Sequence, residues 1–294
     1  MTQILQLLIY GLQLGSIYAL VALGYTMVYG IVNLINFAHG DFLMLGAYAA
    51  FFTAQFMGNS LPVCLLMAMI AAGLVGVITD YVAYKPMRNQ PKLSALITAL
   101  GVSMLIQNLC RVLPFIGPIP KPFPSLLSTS KTINILGASV TTAQIILILL
   151  SVALMVGLSF LVNKTKIGRG MRTVSADRDA AALMGVNINA VISFTFFIGA
   201  ALAGAGGVFY GIMYPTLEIS IGSFLGNKAF IAAVIGGIGS IKGAMFGGIL
   251  MGIIEIFATY VNADIGFGVA YLVLIIILLV KPAGLFGKLT TEKV

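Results

Sequence analysis

Residues 4–25 read ILQLLIYGLQLGSIYALVALGY, a run without a single charged side chain. An α-helix rises about 1.5 Å per residue, so about 20 apolar residues are needed to cross the roughly 30 Å hydrocarbon core of a bilayer. This run is therefore long enough and apolar enough to be a transmembrane helix. Because no basic residue precedes Ile4, the run lacks the charged start of a secretory signal peptide, and we expect it to be retained.

The composition of the rest of the chain agrees with this first segment. Of 294 residues, 60% are hydrophobic and 8% are charged, with a mean hydropathy of +1.09, whereas soluble domains contain about 25% charged residues. Residues 1–84 contain no Lys or Arg, and Asp41 and Asp80 are their only acids. Such a chain cannot cover itself with a polar surface. We predict an all-α polytopic membrane protein that forms a single transmembrane domain over residues 1–294.

Further apolar runs predict the other spans. Full-length candidates lie at residues 61–84, 94–113, 142–162, 190–214, 244–261 and 266–280. Two candidates are shorter or interrupted: residues 42–57, which follow a polar break, and residues 223–241, which end in a glycine-rich run. We therefore expect eight or nine transmembrane or partly spanning helices. Small residues four apart, such as Gly11 and Gly15, or Gly248 and Gly252, favour close helix packing within the chain.

The basic residues are concentrated in three gaps between apolar runs: residues 85–92, residues 164–178 and the tail from Lys281. Cytoplasmic loops are enriched in Lys and Arg, so we expect all three gaps to face the cytoplasm. With nine crossings, an even number separates each gap from the next, which places the N-terminus outside and the C-terminus inside. Membrane orientation thus accounts for the net charge of +8, and we predict no nucleic-acid binding.

Residues 114–141 must then form a loop outside, although they contain Lys121 and Lys131. Five prolines between residues 114 and 124 disfavour a helix, because proline lacks a backbone N–H and restricts the preceding residue. We predict an extended external hairpin. Cys64 and Cys110 lie in separate apolar runs without a second metal ligand nearby in the sequence, so we expect them to pack in the core and predict no metal site.

Residues 33–41, NLINFAHGD, interrupt an otherwise apolar run. Irregular backbone at membrane depth is tolerated only where it is buried in protein or lines a wet cavity. We therefore predict a broken helix that faces the interior of the bundle. Its polar residues and its glycine are candidates for a substrate pathway or gate: Asn33, Asn36, His39, Gly40 and Asp41.

Residues 236–243, GGIGSIKG, repeat this plan with a glycine-rich break between two apolar segments. Gly237, Gly239 and Ser240 are candidates for a second gate, and close packing around a cytoplasmic turn remains an equal alternative. The run is not a phosphate-binding loop of the G-x-x-x-x-G-K-[ST] type, because Lys242 precedes Gly243 and Ala244 follows. We find no nucleotide-binding signature in the chain, so we expect any ATP to be hydrolysed by another subunit.

Ionisable residues within spans are further candidates, since a charge at the centre of a bilayer costs at least about 2.5 kcal/mol. Glu255 lies in the middle of an apolar run, and we expect it to face the interior, either protonated or paired. Both a role in the pathway and a structural hydrogen bond remain open. Asp80, Arg111 and Lys228 fall near predicted span ends, so we expect them to be interfacial or to snorkel.

The largest basic loop, residues 163–189, contains a helix-prone stretch from Ala176 to Met184, which predicts one short surface helix. Within it, Asp179-Ala-Ala-Ala-Leu-Met-Gly185 has the spacing of the E-A-A-x-x-x-G coupling loop of ABC importer permeases, with Asp in place of Glu. In that family the short helix docks in a groove of the ATPase subunit. The resemblance implies that Arg178, Asp179, Ala180, Ala181 and Gly185 couple the chain to an ATPase, with Gly185 in a left-handed helix cap.

Nearly the whole chain resembles the branched-chain amino acid permeases of ABC transporters, specifically the LivH-type subunit. The resemblance is carried by GLQLGSIYALVALGYTMVYGIVNLINFAHGDFLMLGAY from Gly11, by TKIGRGMRTVSADRDAAALMGVN from Thr165 and by GGIGSIKGAMFGG from Gly236. It implies an ABC importer permease fold in a bacterial inner membrane, with no enzymatic activity or cofactor of its own. The implied partners are a second related permease, two cytoplasmic ATPases that bind ATP and Mg²⁺, membrane lipids, and a periplasmic or lipid-anchored binding protein that delivers Leu, Ile or Val.

Three other functions remain to be compared with this one. A related permease for urea or short amides fits the same sequence features. An ion-coupled secondary amino acid transporter would need a relay of ionisable side chains, for which the chain offers one histidine and one carboxylate in mid-span. An intramembrane hydrolase could use His39 and Asp41, but we find no partner nucleophile of the G-x-S-x-G type.

Overall fold

A computed structural model of the chain describes residues 2–88, 90–127, 131–135 and 137–287. Parts of three predicted segments lie outside the described residues: residue 89 of the first basic gap, residues 128–130 and 136 of the external loop, and residues 288–294 of the basic tail. The described chain is a bundle of α-helices with two small sheets.

The helices, in chain order, are α1 (Thr2–Val32), α2 (His39–Met57), α3 (Leu61–Thr79), α4 (Lys85–Met87), α5 (Lys92–Val112), α6 (Thr142–Lys164), α7 (Lys166–Ala176), α8 (Arg178–Leu183), α9 (Ile188–Met213), α10 (Ile221–Gly236), α11 (Ile241–Val261) and α12 (Ala263–Val280). A π-helical turn, Asp80–Tyr84, joins α3 to α4. The strands are β1 (Lys121–Pro122), β2 (Thr132–Ile135), β3 (Ala138–Thr141) and β4 (Thr216–Leu217).

The prediction of a helical membrane protein is confirmed. Within the described residues, six helical segments are long and apolar enough to cross a membrane: Thr2–Val32, Leu61–Met87, Leu93–Val112, Thr142–Lys164, Ile188–Met213 and Ile241–Val261. The apolar segments Ile221–Gly236 and Gly268–Val280 are shorter, and α2 begins with the polar residues His39 and Asp41. The prediction of eight or nine crossings therefore stays a prediction.

Helix α1 is the centre of the bundle and packs against α9, α10 and α11. Its contact with α11 depends on glycine, because a Cβ added to Gly252 would lie 2.3 Å from the Cα of Gly15. A Cβ added to Gly248 would lie at the same distance, 2.3 Å, from the Cα of Ala19. The small-residue steps predicted from the sequence thus mark helix packing within the chain, since only glycine lets two backbones approach so closely.

The strands gather at one end of the bundle. The hairpin of β2 and β3 is antiparallel, and β1 pairs with β4 next to the end of α9. Gln6, near the start of α1, joins the hairpin, because its side-chain amide exchanges hydrogen bonds of 3.0 Å with the backbone of Ser139. The predicted loop of residues 114–141 contains this hairpin in its last part, after the prolines, and its external position stays a prediction. The pairing of β1 with β4 was not predicted, since strands of two residues leave no periodic signal.

The opposite end of the bundle holds the described residues of all three basic segments, while their cytoplasmic orientation stays a prediction. Arg88 Nη1 donates to Asn189 Oδ1 over 2.6 Å, which joins the first basic segment to the start of α9. The hydroxyl of Ser175, in α7, donates to the carbonyl oxygen of Gly30 in α1. The backbone N–H of Leu285, in the tail, donates to the carbonyl of Ile235 over 2.9 Å. We call this end the basic end.

Candidate coupling and translocation site

The loop of residues 163–189 folds as two helices: α8 (Arg178–Leu183) is the short helix predicted within residues 176–184, and α7 (Lys166–Ala176) was not predicted. Asp177 has φ −157° and separates α7 from α8. Its side chain accepts a hydrogen bond of 3.0 Å from the backbone N–H of Ala180, which caps the start of α8. Aspartate stabilises a helix start better than a helix interior, and this preference explains the break. Gly185 has φ +79° after the last turn of α8, which confirms the predicted left-handed conformation.

Helix α8 presents an apolar tip to its surroundings. Leu183 is 90% exposed and Met184 is 79% exposed, whereas Ala181 is buried against the bundle. Asp179 and Ala180 are exposed beside this tip. We call Leu183 and Met184 the coupling tip. They occupy unspecified positions of the coupling motif, so sequence reasoning missed them, although two apolar residues next to a left-handed glycine were a readable signal.

Arg178 points away from the coupling tip and towards α1. Its Nη2 donates to the carbonyl oxygen of Val32 over 2.6 Å and to that of Ile31 over 3.1 Å. The last carbonyls of a helix have no partner within the helix, so a guanidinium satisfies them well. Partial burial and the nearby charge of Arg88 lower the pKa of Arg178 from its usual value. The predicted coupling residue is thus a tether between α8 and the end of α1.

Helix α1 ends where Arg178 and Ser175 hold it. Asn33 follows directly with φ +56°, and among the described residues it is the only non-glycine residue with a positive φ. Asparagine adopts this left-handed conformation more readily than most residues. The break predicted in residues 33–41 is confirmed, since the helix ends at Val32 and resumes at His39.

Asn36 and His39 are buried within this break, as predicted. Asn36 Oδ1 accepts hydrogen bonds from the hydroxyl of Tyr84 over 2.7 Å and from the backbone N–H of Ala38 over 3.0 Å. Tyr84 belongs to the π-helical turn, and such turns are frequent at functional sites. The ring of His39 packs against Tyr25 with 4.6 Å between centroids. The break is therefore fixed to α1 and to the end of α3.

Gly40 and Asp41 lie in the first turn of α2, against the start of α10. A Cβ on Gly40 would lie 2.2 Å from the carbonyl oxygen of Gly222, so only glycine fits. Asp41 is 1% exposed, and its Oδ1 accepts a hydrogen bond of 2.9 Å from Gln107 Nε2 in α5. Among the described residues there are two ion pairs, Arg88–Asp80 and Lys228–Glu255, and Asp41 belongs to neither.

The second predicted break lies between α10 and α11. Gly237 has φ +102° and Gly239 has φ +92°, and Ser240 caps α11 by accepting a hydrogen bond of 3.1 Å from the N–H of Gly243. A Cβ added to Gly30 would lie 3.5 Å from the Cα of Gly239. The end of α1 and the second break thus touch at the basic end.

Two cavities flank this contact, and we call them the inner cavities. One, of about 860 Å³, is lined by Asn33, Ser175, Gly239 and Ser240, among others. The other, of about 450 Å³, is lined by Thr26, Gly30, Ser175 and Lys242, among others. Both breaks and the helix α7 of the coupling loop therefore meet around the same space.

Glu255 faces the interior and is paired. Its Oε1 accepts from Lys228 Nζ over 2.5 Å, and its Oε2 accepts from the hydroxyl of Tyr18 over 2.9 Å. The prediction that Lys228 is interfacial is wrong: it is 2% exposed, because the facing helix α11 supplies its counter-charge.

Asp80 is also fully buried rather than snorkelling, since it accepts from Arg88 over 2.7 Å and from Ser193 over 2.7 Å. A buried charge persists only when it is paired in this way.

The predicted pathway residues therefore occupy three places. Asn33, Gly237, Gly239 and Ser240 lie at the basic end beside the coupling loop. Asn36, His39, Gly40 and Asp41 lie where α2 begins, and Glu255 joins α1, α10 and α11 in a separate ionic cluster. Sequence reasoning missed Tyr18, Tyr84, Gln107 and Ser175; of these, Gln107 was detectable as a polar residue within an apolar run.

Comparisons with known proteins place the chain in a family of membrane permeases. The family model described as the permease component of branched-chain amino acid transport systems matches residues 7–278. The chain is 40% identical over 304 residues to the high-affinity branched-chain amino acid transport system permease protein LivH of Escherichia coli K12, covering 99% of this chain and 97% of that protein. It is 39% identical over 306 residues to the corresponding permease protein BraD of Pseudomonas aeruginosa, covering 99% and 98%. A partial match, 31% identical over 136 residues, joins 44% of the chain to 37% of the fructose import permease protein FrcC of Rhizobium meliloti.

Proposed function

The chain belongs to the permease family of branched-chain amino acid transport systems, and we propose that it is the membrane-spanning subunit of an ABC importer for Leu, Ile and Val. The substrate is proposed because relatives that match 99% of the chain are branched-chain amino acid permeases. Because we predict no ATP site in the chain, the chain would depend on other subunits for ATP hydrolysis. Two ATPases that bind ATP and Mg²⁺, a second related permease and a binding protein complete the proposed importer.

The observation that best supports ATP-driven coupling is the two-sided arrangement of α8. The coupling tip is exposed and apolar on one side, where an ATPase groove can receive it. On the other side Arg178 donates to the last carbonyls of α1. A displacement of α8 on docking or closure of the ATPase would therefore act on α1 directly.

The two breaks provide the proposed gate. Gly30 and Gly239 touch at the basic end, so opening the pathway towards the cytoplasm requires the end of α1 to move away from residues 237–240. The inner cavities already lie on both sides of this contact. An apolar side chain needs an apolar path, and the zwitterionic part of an amino acid needs a few amides or hydroxyls, which Asn33, Asn36 and Ser240 would offer.

Glu255 has a structural role in this proposal. With Lys228 and Tyr18 it connects α1, α10 and α11 inside the bundle, which favours the structural alternative over a place in the pathway. These helices would then move as one unit against α2 and the coupling loop. The basic end faces the cytoplasm in our proposal, with the N-terminus outside, because basic loops stay on the cytoplasmic side of a bacterial inner membrane.

The test is uptake by proteoliposomes that contain the permease with its copurified partners. We expect uptake of labelled leucine to require both ATP inside and a binding protein outside, and to persist when an ionophore removes ion gradients. Uptake driven by an ion gradient without ATP would favour a secondary transporter. Urea and fructose serve as competitors: if either displaces leucine or is itself taken up preferentially, the proposed substrate is wrong, although the ABC assignment stands.

A further inference from the structure

A groove between α7 and the start of α9 plays no part in the proposed coupling or gating. We propose that this groove binds one anionic phospholipid of the leaflet at the basic end. Lys166 and Arg169 would hold the phosphate, and an acyl chain would lie on Ile167, Val186, Val191 and Phe194. The groove, of about 690 Å³, is lined by these six residues, among others.

Its position matches the head-group layer of a membrane. Helix α6 ends at Lys164 and α9 begins at Ile188, so the groove lies where two membrane-crossing helices reach the basic end. Helix α7 is buried on one side through Met171 and Val174, and on its other side the basic residues point outwards. A helix with an apolar face and a Lys- and Arg-rich polar face lies in the membrane interface.

Charge selects an anionic occupant. Residues 164–172 contain Lys164, Lys166, Arg169 and Arg172, and no acid occurs before Asp177. Arg172 is engaged by the carbonyl of Val162. Lys166 and Arg169 are exposed, and their side chains have no protein acceptor in the part of the chain that the structure describes. Anionic lipids attract such juxtamembrane cations.

The apolar floor selects a lipid over a free anion. Ile167 is exposed, and Val186, Val191 and Phe194 are only half buried. A soluble phosphate would contact the two cations and leave this floor in water. A phospholipid covers both, because its acyl chain continues from the head group along the protein into the hydrocarbon layer.

The lipid would act on coupling through α7. The same helix carries Ser175, which bonds to Gly30, and leads directly into Arg178 and the coupling tip. A lipid that fixes α7 at the head-group layer provides a support against which α8 can transmit a push from the ATPase. This consequence rests on the proposed function, whereas lipid binding itself does not.

Binding is tested on the purified chain by native mass spectrometry after exchange into detergent containing phosphatidylglycerol or phosphatidylcholine. We expect phosphatidylglycerol to be retained in preference to phosphatidylcholine. The double variant K166Q/R169Q should retain on the order of 10-fold less of it, because both cations contribute to the binding free energy of an anionic lipid. The control K164Q/K131Q removes the same charge outside the groove and should retain the lipid. Equal loss in both double variants, or none in either, would overturn the proposal.

Two further measurements separate the other occupants. Ile167→Asn changes an exposed apolar residue and keeps both cations, and it should also weaken retention of phosphatidylglycerol. If this variant has no effect while glycerol phosphate displaces the lipid fully, the groove binds only a free anion. Adding the ATPase subunits or the partner permease should leave the lipid in place. Its quantitative release on assembly would show that a protein covers the groove and would contradict the proposal.

Discussion

The guanidinium of Arg178, at the start of α8, donates to the carbonyl oxygen of Val32 over 2.6 Å, which joins α8 to the last turn of α1. These residues are 146 positions apart in the chain. The next residue after Val32 is Asn33, with its positive φ, and the polar break begins there. Arg178 therefore connects the exposed coupling tip to the C-terminal end of α1, immediately before the polar break.

Replacing Arg178 by alanine tests this connection. We expect leucine uptake to fall about 10-fold or more, because hydrogen bonds from a charged donor are worth about 1.5 to 3 kcal/mol and both would be lost. The ATP hydrolysed per leucine transported should rise. Arg178→Lys keeps the charge but lacks the planar guanidinium that bonds both carbonyls, so we expect its ATP consumption per leucine to lie between those of the wild type and Arg178→Ala. Lys164→Ala, at an exposed position of the same loop, is the control; an unchanged ratio in Arg178→Ala would contradict the tether.

The coupling tip can be tested separately from the tether. Leu183→Asp places a charge on a side chain that is 90% exposed, so the membrane fold should survive while an apolar contact with the ATPase is lost. We expect the ATPase subunits to copurify at a small fraction of the wild-type amount. Gly185→Trp should have the same effect, since its φ of +79° disfavours any larger residue.

Ile119→Asp provides the matched control for the tip, because Ile119 is an exposed apolar residue in the loop at the opposite end. It should leave copurification unchanged. Full recovery of the ATPases with both Leu183→Asp and Gly185→Trp would remove the coupling assignment from this loop.

The Lys228–Glu255 pair predicts a non-additive effect on stability. Glu255→Ala leaves Lys228 as a buried charge without its carboxylate, which costs about 3 to 5 kcal/mol. The double variant K228M/E255L removes both charges, so we expect it to unfold at a higher temperature than either Lys228→Met or Glu255→Leu. The measurement is the midpoint of thermal unfolding in detergent, followed by size-exclusion chromatography.

Transport by the double variant then distinguishes the two roles left open for Glu255. A structural role predicts that uptake per folded molecule is largely retained. A stable double variant without uptake would instead place Glu255 in the pathway.

The features that could be predicted from the sequence are those set by residues close together in the chain. The helices and both breaks follow from local signals: long apolar runs, and the polar or glycine-rich residues that interrupt them. The position of Lys228 was predicted wrongly because its partner Glu255 lies on another helix. Neither segment alone indicates which helix it will pack against. The tether of Arg178 to Val32 was invisible for the same reason, although the motif around Arg178 was recognised.

The pathway assignment is tested at Asn36, whose carbonyl oxygen accepts from Tyr84 and Ala38. Asn36→Leu leaves both donors buried without an acceptor, at a cost of about 1 to 3 kcal/mol each. We expect a loss of uptake with the ATPases still bound. Tyr84→Phe removes only one donor and should retain more uptake. Unchanged uptake in Asn36→Leu would exclude this break from the pathway.

Asn33 gives the sharpest test of the gate, because substitutions at this position differ in how readily they adopt its positive φ. Glycine adopts φ of +56° freely, so Asn33→Gly should keep the vesicles tight to leucine without ATP, and any fall in ATP-driven uptake would report the loss of the Asn33 amide. A β-branched residue is strongly disfavoured there, and Asn33→Val should shift the end of α1, at a cost of about 1 to 2 kcal/mol or more. If the contact between Gly30 and Gly239 is the inner gate, the valine variant should leak leucine without ATP hydrolysis. Tight vesicles with normal ATP-driven uptake in Asn33→Val would show that the end of α1 does not gate the pathway.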